Sequence, residues 1–287
     1  METEFNPLAV LSELLASDTA VCFDDAPGIP MFDAPMIAVA DAGDALFSRL
    51  KEVIGPFYWS PQEALALAAP AATARSVVCW CLPINSTARR ANRREKLLPG
   101  RAWAYVRTFG EELNNRLRSG MELRLRSLGF AAVAPAVLPQ NTTAERPPAG
   151  LCSCWSERHT AFVAGLGTFG LSGGLITVRG IAHRLGSVVT DARLAPTPRP
   201  YGDDPFAWCL RLKQGTCGTC IKRCPVNSIG ESTATRDKLV CQRYYKDTIN
   251  AQRADVFLWK GHYGCGLCQT GVPCEDRIPQ AETAARR

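Results

Sequence analysis

The sequence predicts a mixed α/β (α+β) domain over residues 1–200, followed by a small cysteine-rich domain over 201–287. Three observations carry this reading. Short apolar runs bounded by proline, glycine or aspartate alternate with amphipathic helical stretches through the first 200 residues. A proline-rich connector, PTPRPYGDDPF, closes that part of the chain. Eight of the thirteen cysteines then fall between Cys209 and Cys274.

PLAVLSELLAS carries leucines at helical spacing. PMIAVAD is a short apolar run suited to a strand. ALFSRLKEVIG predicts a helix ending at Gly55. SPQEALALAA opens with an N-cap serine, a proline at the first helical position and an acid in the first turn. SVVCWCLPI (76–84) is the clearest strand. Its Cys79 and Cys81 lie two apart and so share a face, where free cysteine behaves as a small hydrophobe. Arg89, Arg90, Arg93 and Arg94 follow, read as a solvated basic face, with a phosphate-binding patch for a cofactor tail or RNA as the alternative. Residues 102–128 predict a long helix broken or bent near Gly110 and Gly120. GFAAVAPAVLP predicts a strand, and QNTTAERPPAG a polar loop.

Ser156 to Ala164 reads as a capped helix. Gly165-Leu-Gly167-Thr-Phe-Gly170 matches G-x-G-x-x-G, but a dinucleotide fingerprint follows a strand and opens a helix. Here the glycines follow a helix and lead into the strand GGLITV. They predict a tight turn whose backbone approaches something flat or bulky. LGSVVTD is a further strand.

The run CGTCIKRCPVNSI places Cys217, Cys220 and Cys224 before Pro225, the back part of the bacterial ferredoxin pattern. Cys209 and Cys241 flank it, and Cys265, Cys268 and Cys274 follow. Eight thiolates are the number that two [4Fe–4S] clusters need. A zinc site would use four ligands in two close pairs. The N-terminus shows no basic segment leading into an apolar one, and no run approaches the length of a membrane span. The expectation is a cytoplasmic protein with no membrane partner, whose thiols are reduced and available to metal. The formal charge of +6 counts those thiols as neutral. Two clusters would cancel most of it, so charge is poor support for a nucleic-acid partner.

The order SERHTAFVAGLGTFGLSGGLIT, GSVVTD and then the cysteine motifs resembles the epoxyqueuosine reductase family, over roughly residues 75–280. That family is distantly related to corrinoid reductive dehalogenases. The resemblance implies an α/β cobalamin-binding domain and a C-terminal ferredoxin-like domain with two [4Fe–4S] clusters. It implies crossed ligand sets: Cys209, Cys217, Cys220 and Cys274 for one cluster, and Cys224, Cys241, Cys265 and Cys268 for the other. Cys209 and Cys274 depart from the family spacing. The glycines Gly165, Gly167 and Gly170 would lie against the corrinoid. In the family a proton-donating aspartate precedes the Glu-Arg pair by six residues, and here that place falls on Leu151. Cys152, Cys154, Glu157 and His159 are the local catalytic candidates. Each also has a plainer reading: loop or core for the cysteines, and a capped helix start with a surface ion pair for Glu157, Arg158 and His159. Trp80, Trp103, Trp155 and Tyr105 either line a corrinoid cavity or fill the core. His183 and His262 have no assigned partner.

Two functions follow from this reading. One is an oxidoreductase that takes electrons from a low-potential ferredoxin- or flavodoxin-type donor through two clusters to a corrinoid and an unidentified substrate. The other is an electron-transfer protein that reduces a partner and has no substrate of its own.

Overall fold

The structure is a computed structural model that describes residues 5–147 and 150–280. In chain order its strands are β1 (Cys22–Phe23), β2 (Ala26–Pro30), β3 (Met36–Asp41), β4 (Ser76–Pro83), β5 (Ala132–Val133), β6 (Ala144–Arg146), β7 (Gly150–Cys152), β8 (Gly167–Phe169), β9 (Leu175–Thr177) and β10 (His183–Thr190). The helices are α1 (Pro7–Ser17), α2 (Ala45–Ile54), α3 (Pro61–Ala66), α4 (Ser86–Arg94), α5 (Arg101–Ser127), α6 (Glu157–Val163), α7 (Leu210–Gln214), α8 (Thr219–Lys222), α9 (Lys238–Arg243) and α10 (Asn250–Phe257), with a π-helical turn at Tyr244–Ile249 before the last.

The main sheet has the order β3-β4-β10-β5. Every neighbouring pair is antiparallel, with Val78 opposite Val39 on one side and Val188 on the other. The chain is therefore α+β: helices lie between strands in sequence, but the strands they join run in opposite directions. All eight residues of β4 are buried. Its even-numbered side chains Trp80 and Leu82 face a core made with α1 and α5. Val77, Cys79 and Cys81 face a second core made with α2, α3 and α6. Burying each large apolar side chain in these layers contributes about 1.5–3 kcal/mol. Cys79 and Cys81 thus share a face as their spacing predicts, inside a core, where burial pushes both thiols well up from their ordinary pKa.

Two local expectations need correction. The helix predicted to bend at Gly110 and Gly120 runs unbroken through both. The missing side chains instead admit neighbours: a Cβ at 110 would stand 2.8 Å from Phe32, and one at 120 would stand 2.8 Å from Leu14 of α1. The strand predicted over GFAAVAPAVLP shrinks to Ala132–Val133, because Pro135 opens a short 3₁₀ turn. The helix after Ser60 closes early but has the full reciprocal cap between Ser60 and Glu63.

The cysteine-rich segment is fastened to the sheet domain. Ile181 and Ala182 donate backbone hydrogen bonds to the carbonyls of Cys274 and Glu275, at 2.8 and 3.2 Å. Glu275, only 1% exposed, receives Arg93 from α4 and a backbone N–H from Gly271. Arg89 reaches Asp276 at 2.9 Å. Arg89 and Arg93 are therefore a carboxylate clamp holding the Cys274 segment. Arg90 and Arg94 of the same helix are exposed, as a solvated basic face predicts. Among the described residues, no helix is long and apolar enough to cross a membrane.

Candidate functional site

The eight C-terminal cysteines come together in two places. Cys209, Cys217, Cys220 and Cys274 line one small apolar pocket. Cys209 enters from the N-cap of α7, Cys217 and Cys220 flank the start of α8, and Cys274 hangs from the backbone pairing with Ile181. Leu171, Ile176, Ile181 and Val272 pack around these thiols. Cys224, Cys241, Cys265 and Cys268 line a second, larger cavity of about 510 Å³. The loop carrying Cys265 and Cys268 lies flat on α5. Gly266 has φ +63°, and a Cβ there would strike the Trp103 indole at 2.1 Å, so the Cys-Gly-Leu-Cys order has a steric cause. Asn92 of α4, fully buried, donates to the Cys265 carbonyl and to Thr270.

The mutual repulsion of the thiols in their charged form sorts them the same way. Cys274 feels Cys220, Cys209 and Cys217, whereas Cys265 feels Cys268, Cys241 and Cys224. An interaction between Cys220 and Cys268 links the two sets. Burial pushes Cys220 and Cys265 up to about 12 and Cys268 up to about 11. Thiols so buried reach the thiolate form when a metal supplies the compensating charge. Their spacing is wider than one ion's ligand sphere: among the described residues, no group of three or more His, Cys, Asp or Glu side chains could hold a single metal ion. Zinc with Zn–S of about 2.3 Å gathers its ligands much more tightly. Four thiols gather at each of two places, the first in an apolar pocket and the second on the wall of a cavity rich in cations, and four thiols are what one cubane needs.

The larger cavity extends from the second thiol set to the end of the main sheet. Its wall includes Leu151 and Cys152 of β7, and Arg107, Arg158, Arg184, Arg236, Lys238 and Lys246 supply six cationic side chains. Among the described residues, no aspartate or glutamate lines it. Leu151 lines this cavity and stands opposite Glu145 in the β6–β7 pair, and its carbonyl accepts from Lys238 at 3.3 Å. His183 also lines the cavity. Its Nε2 lies 2.7 Å from the Leu175 carbonyl, to which it donates, and its Nδ1 is buried without a hydrogen-bond partner. Desolvation lowers its pKa to about 4, so the ring is neutral at pH 7. Tyr245, on the π-helical turn, lines the wall and shares a 2.5 Å hydrogen bond with exposed His262. Leu151, Cys152, Arg158 and His183 are singled out by the sequence, whereas Arg107, Arg184, Arg236, Lys238, Tyr245 and Lys246, from α5, β10, α9 with its approach, and the π-turn, have no sequence signal of their own.

Several sequence candidates lie elsewhere. Glu157 does not line the cavity. Its Oε1 accepts from Arg118 at 3.1 Å and its Oε2 from Ser187 at 2.6 Å, and Ser187 in turn accepts from the Trp155 indole at 2.9 Å. Burial raises the Glu157 carboxyl, and the Arg118 charge opposes that rise. The pair is an internal tie between α5, α6 and β10, not the surface ion pair of the plain reading. His159 meets Ser156 Oγ at 2.8 Å and packs on Phe169; desolvation lowers it to about 3. Cys154 is a core residue, while Cys152 does reach the cavity.

The glycines also sit away from the cavity. Gly165 abuts the Pro198 carbonyl, and Gly167 lies so close to Ile176 in the β8–β9 hairpin that a Cβ would be 2.2 Å from its carbonyl. Gly170 lines the first thiol pocket. The tight approach their pattern predicts is to the chain's own backbone. Of the four aromatics, Trp103 lines the cavity, Trp80 and Trp155 fill the two cores, and Tyr105 packs on Phe109.

No protein-family model matches the chain, and no curated protein matches it. Solved structures do. The epoxyqueuosine reductase of Bacillus subtilis aligns over 97% of this chain and 71% of its own, at 20% identity and TM-score 0.47. That of Streptococcus thermophilus aligns over 96% and 66%, at 14% identity and TM-score 0.47. A catabolic reductive dehalogenase aligns over 86% of this chain at 12% identity and TM-score 0.51, and the chain spans 31% of that protein. This last match shows a shared fold. At 12% identity that likeness is one of fold alone.

Proposed function

We propose that the chain is an iron–sulfur oxidoreductase. It carries electrons through two [4Fe–4S] clusters, held by Cys209, Cys217, Cys220 and Cys274 and by Cys224, Cys241, Cys265 and Cys268, to the cavity beside the second set. The observation that supports this most is that the second thiol set forms one wall of a cavity of about 510 Å³, well within the range of ligand sites. A protein that only relayed electrons to a partner would need no such space next to its inner cluster. A low-potential ferredoxin- or flavodoxin-type donor would feed the first set.

A corrinoid fits this site by place and by wall chemistry. Trp103, Tyr244 and Tyr245 offer aromatic faces, His183 Nδ1 is a neutral nitrogen with no protein partner, and the cations suit a phosphate-bearing tail. Gly165, Gly167 and Gly170 are not among the residues lining this cavity, although Ser172 and Gly174 just after them are. Bound there, a corrinoid would supply a strongly reducing, nucleophilic metal centre. The chain's own residues would position it and its substrate, shield them from water and deliver the proton. With leucine at 151, that proton comes from a group other than a carboxylate of the cavity wall.

Anaerobic reconstitution tests both parts. Iron and sulfide assay should return about eight of each per chain. Four irons would refute the two-cluster assignment. Added cobalamin should bind stoichiometrically, with a Co(II) signal in electron paramagnetic resonance. Eight irons with no cobalamin binding under reducing conditions would leave the electron-transfer protein as the reading.

A further inference from the structure

We infer that Arg158 and Arg236 make the second thiol set the electron sink of the pair, by holding two positive charges, unpaired with any described carboxylate, beside its cluster. The inference rests on the two-cluster reading above. Both arginines line the cavity together with Cys224, Cys241, Cys265 and Cys268. Arg158 donates to the Gly173 carbonyl, and Arg236 lies against the same glycine, where a Cβ would stand 2.0 Å from its Nη1. The two guanidiniums are thus gathered on one backbone turn despite their like charge. Desolvation, and after it the charge of Arg236, lowers Arg158 to about 10, and Cys268 and Cys241 are the groups that oppose this. Neither arginine forms an ion pair with a carboxylate among the described residues, although nineteen such pairs occur there. The natural counter-charge for the two is the anionic cluster.

The first set is built differently. Its walls are Leu171, Ile176, Ile181 and Val272, and the arginine that approaches it, Arg211, is neutralised by an ion pair with Glu231. Burial is the main influence on its Cys220 and Cys274, followed by other thiols. Hydrogen bonding to sulfur points the same way. Cys224 Sγ accepts from the Ser228 backbone N–H at 3.3 Å and lies 3.3 Å from the Ser228 hydroxyl, whereas Cys217 has one contact with Thr219 Oγ1 at 3.7 Å. Nearby positive charge and hydrogen bonds to sulfur both favour the reduced, more negative cluster and so raise its reduction potential. Reduction of the first cluster by a low-potential one-electron donor is then followed by transfer of that electron to the second. One cluster is oxidised and the other reduced, and no bond or proton changes. The electron comes to rest at the cavity wall.

The test is an anaerobic redox titration of the reconstituted full-length protein, followed by electron paramagnetic resonance, after iron content has been measured. The unsubstituted protein should show two waves. Arg236→Gln and Arg158→Gln should each lower the reduced-to-oxidised ratio of the higher-potential cluster at least tenfold at fixed potential, which is 59 mV for one electron. The lower wave should stay in place. Arg236→Lys, which keeps the charge, should restore the higher wave, and Lys222→Gln, near Cys217, should leave it unmoved. Coincident waves in the unsubstituted protein, movement of the lower wave, or no movement in either glutamine variant would overturn the inference. About four irons per chain before titration would instead remove the two-cluster reading beneath it.

Discussion

Glu157 separates a structural from a catalytic role most cleanly, and the expected energies are large. In Glu157→Ala, Arg118 keeps Glu111 at 2.8 Å but loses its second carboxylate, and the Ser187 hydroxyl loses its acceptor. Arg118 is 3% exposed, so solvent does little to replace the missing partner. Breaking a buried pair from one side costs about 3–5 kcal/mol, and the surviving Glu111 contact places this case at the lower end, about 3 kcal/mol. Glu157→Gln preserves an oxygen for Ser187 or Arg118 and should cost about 1–2 kcal/mol. With a urea dependence of about 3 kcal/mol per molar, the alanine variant should unfold about 1 M earlier and the glutamine variant less than 0.7 M earlier. Tryptophan fluorescence reports the change, since Trp155 is part of the network. Equal midpoints for the alanine variant and the unsubstituted protein would refute the structural assignment and return Glu157 to the catalytic candidates.

Other outcomes follow from the same geometry. Gly180→Val should lower iron toward four per chain by displacing the Cys274 segment. Gly180 has φ +82°, and a Cβ there would stand 2.3 Å from the Asp276 nitrogen. Asn92→Ala should cost about 1–3 kcal/mol and weaken the second cluster instead, since Asn92 supports the Cys265 carbonyl; paired Mössbauer and iron assays would distinguish the two losses. Acid should destabilise the fold between about pH 6.5 and pH 4. His159 and His183 are held near 3 and 4 by desolvation, so the unfolded chain binds the extra protons in that window and stability falls as pH falls, by at most about 1.4 kcal/mol per pH unit per histidine. His159→Gln should flatten that slope, and an unchanged slope would show that His159 titrates normally.

Much of the local structure was legible in the chain. The strand 76–83, the helices at 7–17 and 45–54 and the cap at Ser60 follow from apolar period and capping chemistry acting over a few residues. The long helix was legible as a helix but misread at Gly110 and Gly120, because what matters there is a neighbour from elsewhere in the chain. The glycines at 165–170 were read as approaching a flat partner for the same reason. Their partners are Pro198 and Ile176, which no local pattern announces.

The cysteine spacing by itself predicts metal–thiolate chemistry for the C-terminal segment, since the ferredoxin-type run keeps its cysteines within a turn or two of each other. The tertiary structure decided everything that depends on distant residues meeting. It brings Cys209 and Cys274, the two with irregular spacing, into the pocket of Cys217 and Cys220. It turns the Arg89–Arg93 helix face onto Glu275 and Asp276, and it opens a cavity beside the second thiol set whose cations come from five separate segments. Charge acts through space, and spacing along the chain records only the part of it that is local.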